Sequence, residues 1–139
     1  IAIGVRTFLY EEINFVIKKE YYNFLTTNFF NSLGGRPIDR SGNMNSVEKI
    51  SEMFKNNEIF RTAIAPEGTR KLVDNWKTGF YHIALKANCK ILPVAFDWKK
   101  REVKIFEVFT PTNNFTNDLK FLKSLFKGVK GKIPENSNL

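Results

Sequence analysis

The chain is poor in the residues that do most enzyme chemistry. Its 139 residues include one cysteine, Cys89, and one histidine, His82. A single cysteine excludes an internal disulfide and points to a reducing compartment. One His and one Cys are too few for a zinc site, so no metal is expected. Long hydrophobic runs are missing too. The longest uncharged stretch, Tyr21 to Gly35, carries Asn23, Thr26, Thr27, Asn28, Asn31 and Ser32, a density of polar groups that hydrocarbon rejects. Ile1 to Tyr10 show neither a basic leader nor a small-residue cleavage site. No glycine-rich loop of the Walker or dinucleotide type occurs. The first residue is Ile1 rather than Met, so an N-terminal piece is expected to be missing.

What is present is a globular composition, 42% hydrophobic with a net charge of +8. That charge suits anionic lipid, nucleic acid or a phosphorylated ligand, and does not choose among them.

Periodicity predicts an α/β chain, a single domain over 1–139 with a mainly parallel sheet flanked by helices. Ile1 to Ile13 reads as a helix and Asn14 to Lys18 as a strand. Tyr22, Leu25, Phe29, Phe30 and Leu33 share one helical face, ended by Gly34 and Gly35. Arg36 to Asp39 is extended. Asn45 is an N-cap with Glu48 three residues on, opening a helix whose stripe is Val47, Ile50, Met53 and Phe54. Phe60 to Ala65 reads as a buried strand and Lys71 to Lys77 as a loop. Gly79 to Asn88 reads as a helix burying Phe80, Ile83, Ala84 and Ala87. Ile91 to Phe96 is a continuous apolar run, as in a strand covered on both faces. Lys104 to Phe109 should pair with it antiparallel through the charged turn Lys99 to Arg101. Phe115 to Val129 is a basic amphipathic helix. Its apolar stripe is Phe115, Leu119, Leu122, Phe126 and Val129, beside Lys120, Lys123, Lys127 and Lys130. That lysine stripe suits anionic headgroups or is simply solvated.

Two glycine-flanked arginine loops carry the chemistry. The first is Pro66-Glu67-Gly68-Thr69-Arg70, at the carboxyl end of a predicted strand, where α/β proteins place their sites. Gly68 permits a turn that aims Arg70 outward, and the planar guanidinium fork suits phosphate oxygens. Glu67 could fix Arg70, accept from a substrate hydroxyl, or brace the loop. The second is Gly34-Gly35-Arg36-Pro37-Ile38-Asp39-Arg40, where Asp39 could hold Arg40 as another phosphate ligand. Either loop alone could be a surface turn with a solvated ion pair. His82 lies mid-helix with no carboxylate placed to orient it, and reads as structural. Cys89, at a helix-to-strand junction with no His nearby in sequence, reads as a small buried apolar residue.

Together these loops resemble the glycerolipid acyltransferase family, which includes 1-acylglycerol-3-phosphate acyltransferases. Gly34 to Arg40 is similar to its second block and Pro66 to Arg70 to its third, where Ala65 replaces the usual Phe. Ile91-Leu92-Pro93-Val94 is similar to its fourth. The resemblance spans Ile1 through Phe109. It implies transfer of a fatty acyl group from acyl-CoA or acyl carrier protein to the hydroxyl of a lysophospholipid. No cofactor is implied beyond that co-substrate. It assigns Arg36, Arg40, Glu67, Gly68, Thr69 and Arg70 to the acceptor's phosphate end and Pro93 to the acyl-donor side. The family's first block, a His followed after four intervening residues by an Asp, which act as base and orienter, is absent from these residues. The resemblance places it just before Ile1, so residues 1–139 alone are expected to be inactive. A cytoplasmic protein, peripheral at the inner membrane surface and in contact with anionic lipid, is the expected setting. The alternatives are a catalytically silent phosphate- or lipid-binding module and, behind it, a nucleic-acid binder. The Phe residues follow core periodicities rather than forming a stacking platform, so no nucleic-acid partner is expected.

Overall fold

The computed structural model describes residues 13–38, 46–69, 71–133 and 135. The chain is α/β and divides into two compact units, between Ile64 and Ala65. The predicted helix over Ile1 to Ile13 lies, but for Ile13, outside the described residues, as do Asp39, Arg40, the Asn45 cap and Arg70.

The first unit is a small parallel sheet with helices. Strand β1 (Phe15–Lys18) pairs parallel with β2 (Gly35–Ile38), Phe15 opposite Gly35 and Lys18 opposite Ile38. Parallel neighbours need a crossover, and Lys19 to Gly34 supply it through a 3₁₀ turn (Lys19–Tyr21) and helix α1 (Thr27–Ser32). Helix α2 (Ser46–Lys55) follows and buries Ile50 and Ser51.

Two expectations change here. The helix predicted from Tyr22 to Leu33 is only Thr27–Ser32. The Asn23 carboxamide oxygen accepts from the backbone N–H of Leu25 at 3.0 Å and of Thr26 at 3.1 Å. This local turn competes with the helix and delays its start. The apolar stripe is therefore only partly covered: Leu25 is 83% and Phe29 60% exposed, while Tyr22, Phe30 and Leu33 are half-buried. The predicted strand Phe60 to Ala65 is a single parallel bridge, Thr62 to Asn14. Asn14 N–H donates to Arg61 O at 2.7 Å and Ala63 N–H to Asn14 O at 3.0 Å. Pairing stops there, short of the turn that begins at Ala65. Phe60 is held instead by an edge-on contact with Phe54, centroids 4.8 Å apart.

The second unit joins two helices to a hairpin. Helix α3 (Gly79–Ala87) ends at Asn88 in the left-handed region, φ 49°. Asn tolerates that conformation better than most residues with a side chain. Strands β3 (Val94–Asp97) and β4 (Glu102–Ile105) pair antiparallel as expected, and an Ile91–Phe109 bridge continues the hairpin. The run Ile91 to Phe96 is not covered on both faces. Pro93, Ala95 and Asp97 are buried while Leu92 is exposed, the alternation of a one-sided strand. Pro93 sits before β3, its carbonyl accepting from Phe106 N–H at 3.0 Å, so its missing N–H breaks no ladder bond within the strand.

Helix α4 (Phe115–Leu125) is capped by Asn114, whose side chain accepts from Asn117 N–H at 3.2 Å. It is shorter than the predicted Phe115 to Val129, because the chain leaves the helix through Gly128 at φ 81°. Leu122 and Val129 are still buried, with Tyr81, Ile83, Ala84 and Trp76. Trp76 meets Phe126 edge-on at 5.4 Å, and Lys123 Nζ lies 5.9 Å from its ring centre. No helix among the described residues is long and apolar enough to cross a membrane.

Candidate functional site

In the first unit the site residue is Arg36, on β2. Its side chain is exposed, and its Nε–H donates to Asn14 Oδ1 at 3.0 Å. Asn14 is 5% exposed and anchors itself by donating from Nδ2 to Arg61 O at 3.2 Å. A rigid, buried amide thus orients a surface guanidinium by one edge. The terminal N–H groups keep the geometry that grips a phosphate bidentately. Tyr22 stands close enough to feel that charge. Burial pushes its phenol up, and the Arg36 cation pulls it partway back. Gly35 is required by close approach. A Cβ there would stand 2.7 Å from Tyr22 Oη and 2.9 Å from Phe30 O.

In the second unit the loop Ala65 to Gly68 is a β-turn closed by Gly68 N–H to Ala65 O at 3.1 Å. Pro66 at its second place and Gly68 at its fourth are the residues a type I turn prefers. Gly68 has φ 64°. Thr69 Oγ1 accepts from Lys71 N–H at 3.3 Å, and Glu67 is half-buried. Across this turn lies Lys77, at the end of the irregular segment Lys71 to Lys77. Its backbone N–H donates to Pro66 O at 2.8 Å. Its Cδ, Cε and Nζ pass 2.9, 3.0 and 3.0 Å from where a Gly68 Cβ would be. Trp76, its neighbour in the chain, is buried. The turn therefore carries a cation that proximity in sequence did not reveal.

His82 and Cys89 stand apart from both loops in sequence, and Cys89 is less buried than its sequence suggested. His82 is exposed on α3, stacked on Phe115 at 6.1 Å and 13°, with no carboxylate bonded to its ring. Cys89 is half-buried, and burial pushes its thiol up, the opposite of an activated nucleophile. No group of His, Cys, Asp or Glu among the described residues could hold a metal.

Sequence reading missed a buried network in the second unit. Asp118 on α4 accepts from Tyr81 Oη–H at 2.7 Å, from Thr112 N–H at 2.7 Å and from Thr112 Oγ1–H at 2.7 Å. Burial pushes the Asp118 carboxyl up, but these three donors outweigh it and hold it below its ordinary value. Burial and the Asp118 carboxylate push the Tyr81 phenol up to about 12. With both residues enclosed, this network ties α3 to α4.

A family model described as acyltransferase matches residues 3–97 of the 139. The chain belongs to the acyltransferase family. The match contains Arg36, the Pro66 to Gly68 turn, Lys77 and Pro93. No curated protein and no solved structure matches the chain. As an acyltransferase domain, it works on an acyl donor and a lipid acceptor in general terms.

Proposed function

We propose that the chain serves acyl transfer from acyl-CoA or acyl carrier protein to the hydroxyl of a phosphorylated lysolipid such as 1-acylglycerol 3-phosphate. The reaction takes place at the cytoplasmic face of a membrane, with no cofactor beyond the acyl carrier. The observation that carries the phosphorylated acceptor is Lys77 laid over Gly68, beside Glu67 and Thr69. Arg36, oriented by Asn14, supports the same chemistry from the other block. Arg40 and Arg70 complete the two loops by the family pattern, and Pro93 belongs to the donor side. A phosphate held by a placed cation presents its hydroxyl in one orientation, which can lower a barrier by several kcal/mol.

These residues hold the acceptor and do not move its proton. The one histidine, His82, is followed five positions on by Ala87, so no His and Asp stand at the family's spacing here. The test is acceptor binding by Arg36→Ala and Lys77→Ala. Each should weaken binding of 1-acylglycerol 3-phosphate by about ten- to a hundredfold, the loss of a charge-assisted contact. Unchanged affinity in both would remove the support for a phosphorylated acceptor. A silent lipid-binding module gives the same binding result. A direct assay of acyl transfer separates the two, since turnover rejects silence.

A further inference from the structure

The β3–β4 turn reads Trp98-Lys99-Lys100-Arg101, and the chain after α4 comes back beside it. Trp98 N–H donates to Lys130 O at 2.9 Å. That bond brings Lys130 and Lys132 to the basic turn, and Trp98, Lys99, Lys130, Gly131 and Lys132 line one open cleft. Lys132 Nζ lies 5.4 Å from the Trp98 ring centre.

Among the described residues no carboxylate lies within ion-pairing distance of these cations, although Asp97, Glu102 and Glu135 are near them in sequence. Glu102, the next acid along the chain, is engaged by Lys104 at 3.2 Å. Asp97 is buried, and its Oδ1 accepts from Lys100 N–H at 3.1 Å. Crowded like charges repel unless an anionic surface meets them. The patch is also apolar where it stands out: Trp98 is 46% and Ile133 54% exposed. A half-exposed Trp ringed by lysines is the composition of a membrane–water interface. Single-stranded nucleic acid would need open aromatic faces for stacking, and here Lys132 covers the ring.

The geometry points to a docking surface for an anionic bilayer, built from Trp98, Lys99, Lys100, Arg101, Lys130 and Lys132. The lysines and Arg101 engage lipid phosphates and Trp98 settles at headgroup depth. This rests on the reading of acyl transfer at a membrane and names the face that would meet it. It shares Lys130 with the lysine stripe predicted for the last helix, of which Lys123 is turned onto Trp76.

Co-sedimentation of the full chain with phosphatidylcholine vesicles, with and without phosphatidylserine, tests it. Binding should require phosphatidylserine and weaken with salt. Each neutralised lysine should weaken it roughly fivefold, so K99Q/K130Q/K132Q should bind about a hundredfold less well. Tryptophan emission should shift blue on binding and lose that shift in Trp98→Phe, because the remaining Trp76 is already buried. Wild-type binding by the triple variant, equal binding to pure phosphatidylcholine, or an unmoved emission would overturn the proposal. So would tighter binding to a single-stranded oligonucleotide than to anionic vesicles. Detergent-dispersed 1-acylglycerol 3-phosphate reports the acceptor site alone, and the triple variant should bind it as wild type does. Lost vesicle binding by the wild type with acceptor binding intact rejects the docking surface only. Vesicle binding without acceptor binding rejects the acceptor reading only.

Discussion

Replacing Asp118 separates two roles of a buried carboxylate. At 4% exposure its oxygens take three hydrogen bonds, two on Oδ2 and one on Oδ1. In Asp118→Ala, Tyr81 Oη and Thr112 N–H lose their acceptor inside the protein. Orphaned donors cost about 1–3 kcal/mol each, so a loss of about 3–5 kcal/mol is expected. Asp118→Asn should be much milder. Its oxygen can take the Oδ2 place, and its NH₂ can donate to Thr112 Oγ1, a hydroxyl free to accept instead. Only charge assistance is lost, about 1–2 kcal/mol. The pH dependence distinguishes them further. The folded carboxyl titrates below its ordinary value of 3.8, so its contribution is present above that pH and falls as acid protonates the unfolded chain first, then the folded one. The phenol of Tyr81 has the opposite sign. Its contribution is full below 10.0 and is lost as pH rises towards about 12. Thermal melts at about 4 °C per kcal/mol should show the gap between wild type and Asp118→Asn closing below pH 4. A gap constant down to pH 2, or Asn as damaging as Ala, would refute the network as described.

Gly68→Ala should cost about 1–2 kcal/mol for a left-handed non-glycine residue and push Lys77 aside, so calorimetry should show weaker acceptor binding beyond the stability loss. Gly35→Ala meets the backbone oxygen of Phe30 as well as Tyr22 Oη. A drop of about 2–3 kcal/mol in urea denaturation is expected, larger than at Gly68 where only a flexible side chain must move. Asn14→Ala should lower acceptor affinity several-fold without touching the ligand, and Arg36→Lys should not restore what Arg36→Ala loses, because the fork is gone. His82→Ala should leave acceptor affinity unchanged within twofold in the same titration.

The local devices were legible because their cause is local. Pro66 and Gly68 specify their turn, Gly34 ends its helix, and the basic turn after Asp97 reverses the chain into β4. The residues that position the site were not, because their partners are distant in sequence. Asn14 looked like the first residue of a strand. A polar residue leading Phe15-Val16-Ile17 into a sheet needs partners, and that was the available signal. Lys77 had none, since nine positions of irregular loop separate it from Gly68. Asp118 did give one, as it shares the helical face of Phe115, Leu119 and Leu122, where an acid must be paired. The Tyr22 to Leu33 stripe misled for the converse reason. Periodicity describes a helix that could form, and the Asn23 turn forms first.

The central claim is that this acyltransferase domain holds its acceptor by the phosphate. Titration with 1-acylglycerol 3-phosphate and with the matching monoacylglycerol, in the same detergent, tests it most directly. The phosphorylated lipid should bind at least tenfold tighter, with the difference shrinking in Arg36→Ala and in Lys77→Ala. Equal affinity for both lipids would contradict it.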